Sequence, residues 1–230
     1  MNAIILCGGL GTRLGDLTRK TPKPLLEVAG QPFVTHVLEW LQSNGVTQAC
    51  LAVSFQWHKL RAALGDHWNG LPLSYSIEDK PLGTGGAIRQ ALKTMGWAEA
   101  LIANGDTLVE ADLRQMHALG QRADADVVLA LKQVPDTARY GRVDLLPSGR
   151  VASFSEKGVV GPGLINAGLF WLRADLVAAI PHAVFSFEQD VMMAHLHQYD
   201  IHGLPTVGYF IDMGIPEDLE RARRDLAMRQ

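Results

Sequence analysis

Residues 3–14, AIILCGGLGTRL, lead an apolar run into Gly8, Gly9 and Gly11, with Thr12 and Arg13 directly after them. A glycine turn leaving a strand can aim successive backbone N–H groups at phosphate oxygens. Two cations bracket this segment. Arg13 can fork across two oxygens, and Lys23 supplies a point charge. Lys23 stands between Pro22 and Pro24, whose fixed backbone lets the lysine be aimed from an extended loop without a helix behind it. Loop cations are ordinarily just solvated, but here two of them flank one glycine turn. Farther on, LIANGDT places Asp106 after an apolar run, and YFIDMGIPED does the same for Asp212. Two carboxylates from separate strand ends suit Mg²⁺, which binds through one or two carboxylates together with substrate phosphates. The bland alternative for Asp106 is a surface aspartate beside an Asn-Gly hairpin turn.

Two familiar phosphate loops fail against this segment. Walker A requires Gly-Lys-Ser/Thr at its end, which is absent. The dinucleotide fingerprint fits Gly9 and Gly11 but meets Leu14 at the third position, unless Gly15 serves there. The acidic residue expected about twenty positions on would be Glu27, which follows a proline-rich stretch rather than a second strand. A second glycine turn, SIEDKPLGTGGAI (76–88), leads into a helix. It reads either as an ordinary capped helix start or as close backbone approach to a ring or phosphate. FSEKG (154–158) and INAG (165–168) add Glu156, Lys157 and Asn166, types that bind sugar hydroxyls and phosphate but that strands also expose without function. His195 and His197 are two apart, so on a helix they point to different sides and form no metal pair.

The elements that must position these residues alternate along the chain. Strands are predicted at 3–7, 48–53, 73–77, 100–104 and 125–131. Helices are expected from Pro32 to Asn44-Gly45, over Trp57 to Leu64, from a Thr84 cap to about Met95, and near Leu113. Such alternation implies βαβ units and a mostly parallel sheet, with ligands outside the carboxyl ends of the strands. After residue 135, YGRVDLL, RVASFSE and GLINAGLFWL read as close-set strands of an antiparallel or mixed portion at the sheet's far end. Helices at 174–180 and 187–198, a last strand YFID (209–212) and a helix opened by Pro216 complete the pattern.

Bulk properties narrow the partners. The 230 residues are 47% hydrophobic and 20% charged, with a formal net charge of −3. That balance offers no electrostatic footprint for nucleic acid or an anionic membrane surface, so any bound phosphate must be met by a local site. No stretch approaches the ~18 apolar residues of a membrane span, and the N-terminus lacks the basic region of a signal peptide. Cys7 and Cys50 sit in apolar strand-like runs, consistent with free thiols. A cytoplasmic location is therefore expected; self-association is compatible with the sequence but not fixed by it.

Taken in order, GGLGTRL, TPKPL, PLGTGG, NGD, YG, FSEK, NAG and FIDMG resemble the sugar-1-phosphate nucleotidyltransferases, over nearly the whole chain to about Glu220. Within that family, CGGLGTRL, SIEDKPLGTGGAI and YFIDMGIPEDLERA are most similar to the branch that joins GTP to D-glycero-α-D-manno-heptose 1-phosphate. The branches using mannose 1-phosphate with GTP, or N-acetylmuramate 1-phosphate with UTP, stay open. The resemblance implies one GT-A-like domain, a Rossmann-like mostly parallel sheet flanked by helices with a β-rich sugar-binding lobe. Residues 1–135 would be the nucleotide-binding part, 136–212 mainly the sugar-phosphate part and 213–230 the C-terminal helix. No hexapeptide repeat is present, so no added acetyl-transfer activity is expected.

The same resemblance implies the site. Leu6, Gly8, Gly9, Gly11, Thr12, Arg13, Lys23, Glu78, Pro81, Gly83, Thr84 and Gly85 would hold the nucleotide. Arg13, Lys23 and Asp106 would be catalytic, with Mg²⁺ held by Asp106 and Asp212. Gly141, Glu156, Asn166 and Gly168 would line the sugar, and Lys157 would meet its phosphate. The implied reaction needs no general base, because a phosphate monoester with a second pKa of about 6 is already charged at neutral pH. Guanine presents two adjacent donors that one carboxylate accepts in a fork, which nominates Glu78, although Asp79 is adjacent and backbone carbonyls could serve. Two readings of other classes remain: an NAD(P)-dependent oxidoreductase using Gly9, Gly11 and Gly15, and a catalytically silent nucleotide-sugar-binding subunit.

Overall fold

The computed structural model describes residues 1–229 apart from Leu10, Phe55, Ala123 and Asp124; the Thr12 side chain, expected at the phosphates, also lies outside the described set. Strand β1 (Asn2–Leu6) is unbroken in hydrophobicity because both its faces are covered: Ala3 and Ile5 enter one core, Ile4 the other. A short helix α1 (Asp16–Lys20) follows, then a ribbon of β2 (Glu27–Val28) and β3 (Gln31–Pro32). Helix α2 (Phe33–Ser43) starts after Pro32 and stops at Asn44-Gly45, as its sequence predicts. Its Val34, Val37, Leu38 and Leu41 are buried on one face of the sheet, each contributing about 1.5–3 kcal/mol of transfer free energy.

The alternation continues through β4 (Gln48–Val53), α3 (Trp57–Leu64), β5 (His67–Trp68), β6 (Leu71–Ile77), α4 (Gly83–Met95) and β7 (Glu99–Asn104). Helix α4 buries Ile88, Ala91 and Leu92 on the sheet's other face. After β8 (Thr107–Val109), α5 (Leu113–Gly120) and β9 (Val127–Val134), the chain turns mainly to strands: β10 (Val143–Leu145), β11 (Val151–Phe154) and β12 (Gly163–Arg173). Helix α6 (Ala174–Ala178), a π-helical turn over Phe187–Met193, β13 (Ile201–Thr206), β14 (Phe210–Asp212) and α7 (Pro216–Ala227) complete the order.

Ten of these strands form one sheet. Strands β6, β4, β1 and β7 are parallel neighbours, so their carboxyl ends open on one edge. Beyond β7 the pairing turns antiparallel through β12, which contacts β9 and β10, and β10 pairs with β11. The expected combination of a parallel, helix-flanked core and a β-rich far end is therefore the observed architecture.

Several local expectations are corrected. Strand β13 has no counterpart in the sequence reading; it lies at an edge, paired in parallel to β9 alone among the strands, where Pro205 costs little. The helix expected at 187–198 ends at Met193 and is π-helical. Thr84 does not cap α4: Leu82 occupies that position, and the Thr84 hydroxyl accepts from Phe187 N–H at 2.9 Å. Lys23 opens a 3₁₀ turn over Lys23–Leu25 instead of standing in open loop. The Asn-Gly hairpin alternative at Asp106 is excluded because β8 pairs with β14, not with β7.

Candidate active site

The glycine loop begins where the parallel ladder runs out. Cys7 N–H donates to Ala52 O at 2.8 Å and Gly105 N–H to Leu6 O at 2.9 Å, after which the chain leaves the sheet. Ser54 then donates to Gly8 O at 2.8 Å and Thr18 to Gly11 O at 3.0 Å, pinning both ends of the loop by their carbonyls. Gly11 has φ of +63°, and a Cβ there would come within 2.9 Å of Thr18 Cγ2. Only glycine fits that backbone at that distance.

Lys23 is only 8% exposed, and a buried ammonium needs a partner. It pairs with Asp106 and lies 4.0 Å from Asp212 Oδ1. These carboxylates come from distant segments, joined because β8 and β14 pair with Thr107 opposite Asp212. Met213 N–H also donates to Asp106 O at 3.0 Å. Behind Asp212, Arg139 is anchored on Asp218 at 2.7 Å and reaches to 3.9 Å from Asp212 Oδ2. Burial, and then the charge of Asp106, push the Asp212 carboxyl above its ordinary range, while Lys23 and Arg139 oppose the shift.

Among the described residues no cluster of three or more His, Cys, Asp or Glu could form a metal cage. The Asp106–Asp212 pair is instead an all-oxygen donor set already compensated by a cation, Lys23. Such a pair fits a hard divalent cation whose remaining ligands are water and substrate phosphate.

Two adjoining hollows meet here. One, of about 190 Å³, is lined by Gly9, Gly11, exposed Arg13, Lys23 and Asp106. The other, of about 330 Å³, shares Leu6, Gly9 and Asp106 and adds Gly8, Glu78, Pro81, Gly83 and Thr84. The Glu78 carboxyl is pushed upward by burial, opposed by the Leu82 N–H that donates to it at 2.9 Å. Gly85 is not on this wall. Its N–H donates to Phe185 O at 3.0 Å, and a Cβ there would collide with the Phe185 ring, so its glycine serves helix packing.

The expected sugar residues divide into two groups. Glu156 and Lys157 line a wide cavity of about 710 Å³ together with Tyr140 and Glu188. Gly141 is buried beneath it against Ser155 O. Asn166 and Gly168 lie elsewhere: Asn166 Oδ1 accepts from Gly168 N–H at 3.1 Å, and Gly168 packs on Asn104, a wall residue of the Glu78 hollow. Sequence reading missed Ser54, Arg139, Asp218 and Glu188, and Asn104 was signalled only through the NGD motif. Tyr140 was signalled only through the YG pair.

The oxidoreductase alternative loses its geometry. Gly15 precedes a five-residue helix that buries nothing, and Glu27 is exposed in the β2–β3 ribbon, not at the end of a parallel strand.

A parallel-sheet edge carrying a glycine loop, a buried lysine and two facing aspartates defines a phosphate-handling enzyme of the nucleotidyl-transfer class. Comparison with known proteins agrees: the model of the Nucleotidyl transferase family matches residues 2–229, and the chain belongs to that family. It is 37% identical, over 98% of both chains, to D-glycero-alpha-D-manno-heptose 1-phosphate guanylyltransferase of Aneurinibacillus thermoaerophilus. It is also 37% identical over 98% of its length to mannose-1-phosphate guanylyltransferase of Mycobacterium tuberculosis, of which it spans 64%. Among solved structures, HddC from Yersinia pseudotuberculosis complexed with GMP-PN superposes with a TM-score of 0.85, at 34% identity, covering 98% of this chain and 99% of that one. No helix among the described residues is long and apolar enough to cross a membrane.

Proposed function

We propose that this protein transfers GMP from GTP to D-glycero-α-D-manno-heptose 1-phosphate, yielding GDP-heptose and pyrophosphate. The observation that carries the reading is Lys23, buried between Asp106 and Asp212 at the mouth of the glycine loop. In the reaction a phosphate oxygen of the sugar 1-phosphate attacks the α-phosphorus. The bond from that phosphorus to the bridging oxygen breaks, and pyrophosphate leaves with the electron pair. The main demand is to bring two polyanions together and to stabilise the charge on the leaving group.

The backbone of Gly8, Gly9 and Gly11 cradles the triphosphate, and Arg13 meets the departing phosphates. Lys23 moves from its aspartates to the α-phosphate. Asp106 and Asp212 would hold Mg²⁺, which when bound supplies charge compensation for the phosphates. Glu78 accepts from guanine N1–H and the 2-amino group. Lys157 receives the sugar phosphate, and Glu156 and Asn166 receive sugar hydroxyls.

Pyrophosphate release tests this reading, using four NTPs against heptose, mannose, glucose and N-acetylmuramate 1-phosphates with and without Mg²⁺. Highest kcat/KM is expected for GTP with the heptose substrate and Mg²⁺. Preference for mannose 1-phosphate would overturn the sugar assignment. Nucleotide-sugar binding without turnover of any pair would favour a silent subunit.

A further inference from the structure

The wide cavity contains a carboxylate that neither folding nor the mechanism above employs. Glu188 lies in the first turn of the π-helical segment Phe187–Met193, half-buried, on the wall shared with Glu156 and Lys157. π-Helical turns are rare and frequent at functional sites. An acidic residue at such a position ordinarily serves the helix start, but that work is done by its neighbours. Gln189 N–H donates to Ser186 Oγ at 3.2 Å, and Ser186 N–H donates to Asp190 Oδ2 at 2.7 Å. Glu188 accepts no hydrogen bond among the described residues. Burial pushes its carboxyl above the usual range, and only Lys157 pulls it back. A half-buried carboxylate that lines a cavity and accepts from no protein group among the described residues keeps both oxygens for a donor-bearing ligand.

The segment that carries it is firmly held. Phe187 stacks on Phe170 with ring centroids 5.0 Å apart, and its N–H is bound by Thr84. Arg89 donates to Ile180 O and His182 O, each at 2.7 Å, fixing the approach to this segment. Glu188 therefore stands on a braced wall, hydrogen-bonded to no protein group among the described residues and in the same cavity as Lys157.

We propose that Glu188 is a sugar-recognition residue whose carboxylate accepts hydrogen bonds from neighbouring hydroxyls of the sugar 1-phosphate. This inference rests on the transferase reading above and names a residue through which the polyol is chosen. A carboxylate with two oxygens accepts from a pair of adjacent hydroxyls.

Steady-state kinetics of the intact protein with varied GTP and varied heptose 1-phosphate, for wild type, Glu188→Gln and Glu188→Ala, test it alongside thermal melting. KM for the sugar phosphate is expected to rise about tenfold or more in the alanine variant and less in the glutamine variant, which keeps one acceptor. KM for GTP should stay within about twofold, and the melting temperature should not fall, since no protein hydrogen bond is lost. An unchanged sugar KM in Glu188→Ala overturns the proposal while leaving the transferase reading intact. Parallel rises in both KM values with a lowered melting temperature overturn it in favour of a structural role. Wild-type protein that turns over no sugar 1-phosphate overturns both.

Discussion

At the glycine loop, the groups we propose for phosphate are backbone amides and a lysine 8% exposed between two aspartates, whereas the wide cavity beyond Tyr140 offers the exposed side chains of Glu156 and Lys157. The first region hangs from four parallel strands that end together. The second is assembled from turns following β11, the Tyr140–Gly141 turn and a π-helical segment. Rigid, buried construction suits the part that must align a triphosphate for in-line displacement, where small misplacement is costly. Side chains on turns can be exchanged without disturbing the sheet, which suits the proposed role of this part in selecting a sugar. Substitutions among the buried charges at the glycine loop should therefore alter kcat and stability together, whereas those at the wide cavity should alter the choice of sugar.

The largest effect is expected at Lys23. Lys23→Met removes the cation from between Asp106 and Asp212 and should lower kcat by about 10²–10³-fold, the scale of losing one preorganised electrostatic group. It should also destabilise the fold by about 2 kcal/mol, because two carboxylates lose their compensation, a figure discounted for the partial exposure of Asp106. Adding Asp106→Asn should recover stability but not activity. Denaturant unfolding and single-turnover kinetics separate the two quantities. Full activity in Lys23→Met would remove the lysine from the chemistry.

Asp212 separates them in the opposite sense. Its folded carboxyl titrates above the ordinary value because burial and Asp106 oppose its charge. The native protein therefore binds more protons than the unfolded chain in the window from about 3.8 up to the raised value. Stability from this group is greatest below that window and is lost as pH rises through it. At neutral pH the charged form is a cost, so Asp212→Asn should raise the melting temperature by about 2 °C while greatly reducing metal-dependent turnover. Lys23 and Arg139 retain Asp106 and Asp218 as partners. A lowered melting temperature would mean that Asp212 is held for stability.

Much of this region was legible because its signals are local. Apolar runs such as IILC and ACLAV have no other destination than a doubly covered sheet, and glycines, prolines and aspartates mark the strand ends. What stayed hidden depends on pairing between remote segments. The strand YFID was legible, but Thr107–Val109 is too short to leave a period, and the pairing of the two, which sets Asp212 beside Asp106, leaves no local signal. The Arg139–Asp218 contact spans 79 positions. IHGLPT carries Gly and Pro, and forms a strand only because the edge of β9 accepts it. At the wide cavity, Glu188 shares its segment with Asp190, and only the hydrogen bonds of the folded chain distinguish the two.

An intermediate effect is expected at Glu78. Glu78→Gln replaces one of two acceptors with a donor and should shrink the preference for GTP over UTP by about 10–100-fold, the worth of a charge-assisted hydrogen bond. Because burial raises this carboxyl, wild-type KM for GTP should increase as pH falls toward the raised value and the group protonates. The glutamine variant should lack that limb. Identical pH profiles and an unchanged GTP/UTP ratio would assign base reading to other groups.

The smallest effect bears most directly on whether the two regions are separate. Thr84 lines the Glu78 hollow, yet its hydroxyl accepts the N–H of Phe187, the residue before Glu188. Thr84→Val keeps the shape and removes that acceptor, leaving an amide to be satisfied by water at a cost of about 1 kcal/mol or less, since position 84 is exposed. If base reading and sugar selection were independent, only KM for GTP would move. The bridge instead predicts a rise of about two- to fivefold in KM for the sugar 1-phosphate as well. The coupling should vanish in the background of Glu188→Ala, where the shifted wall no longer carries its carboxylate. Additive effects of the two substitutions on sugar KM would mean that Thr84 holds the segment without positioning Glu188.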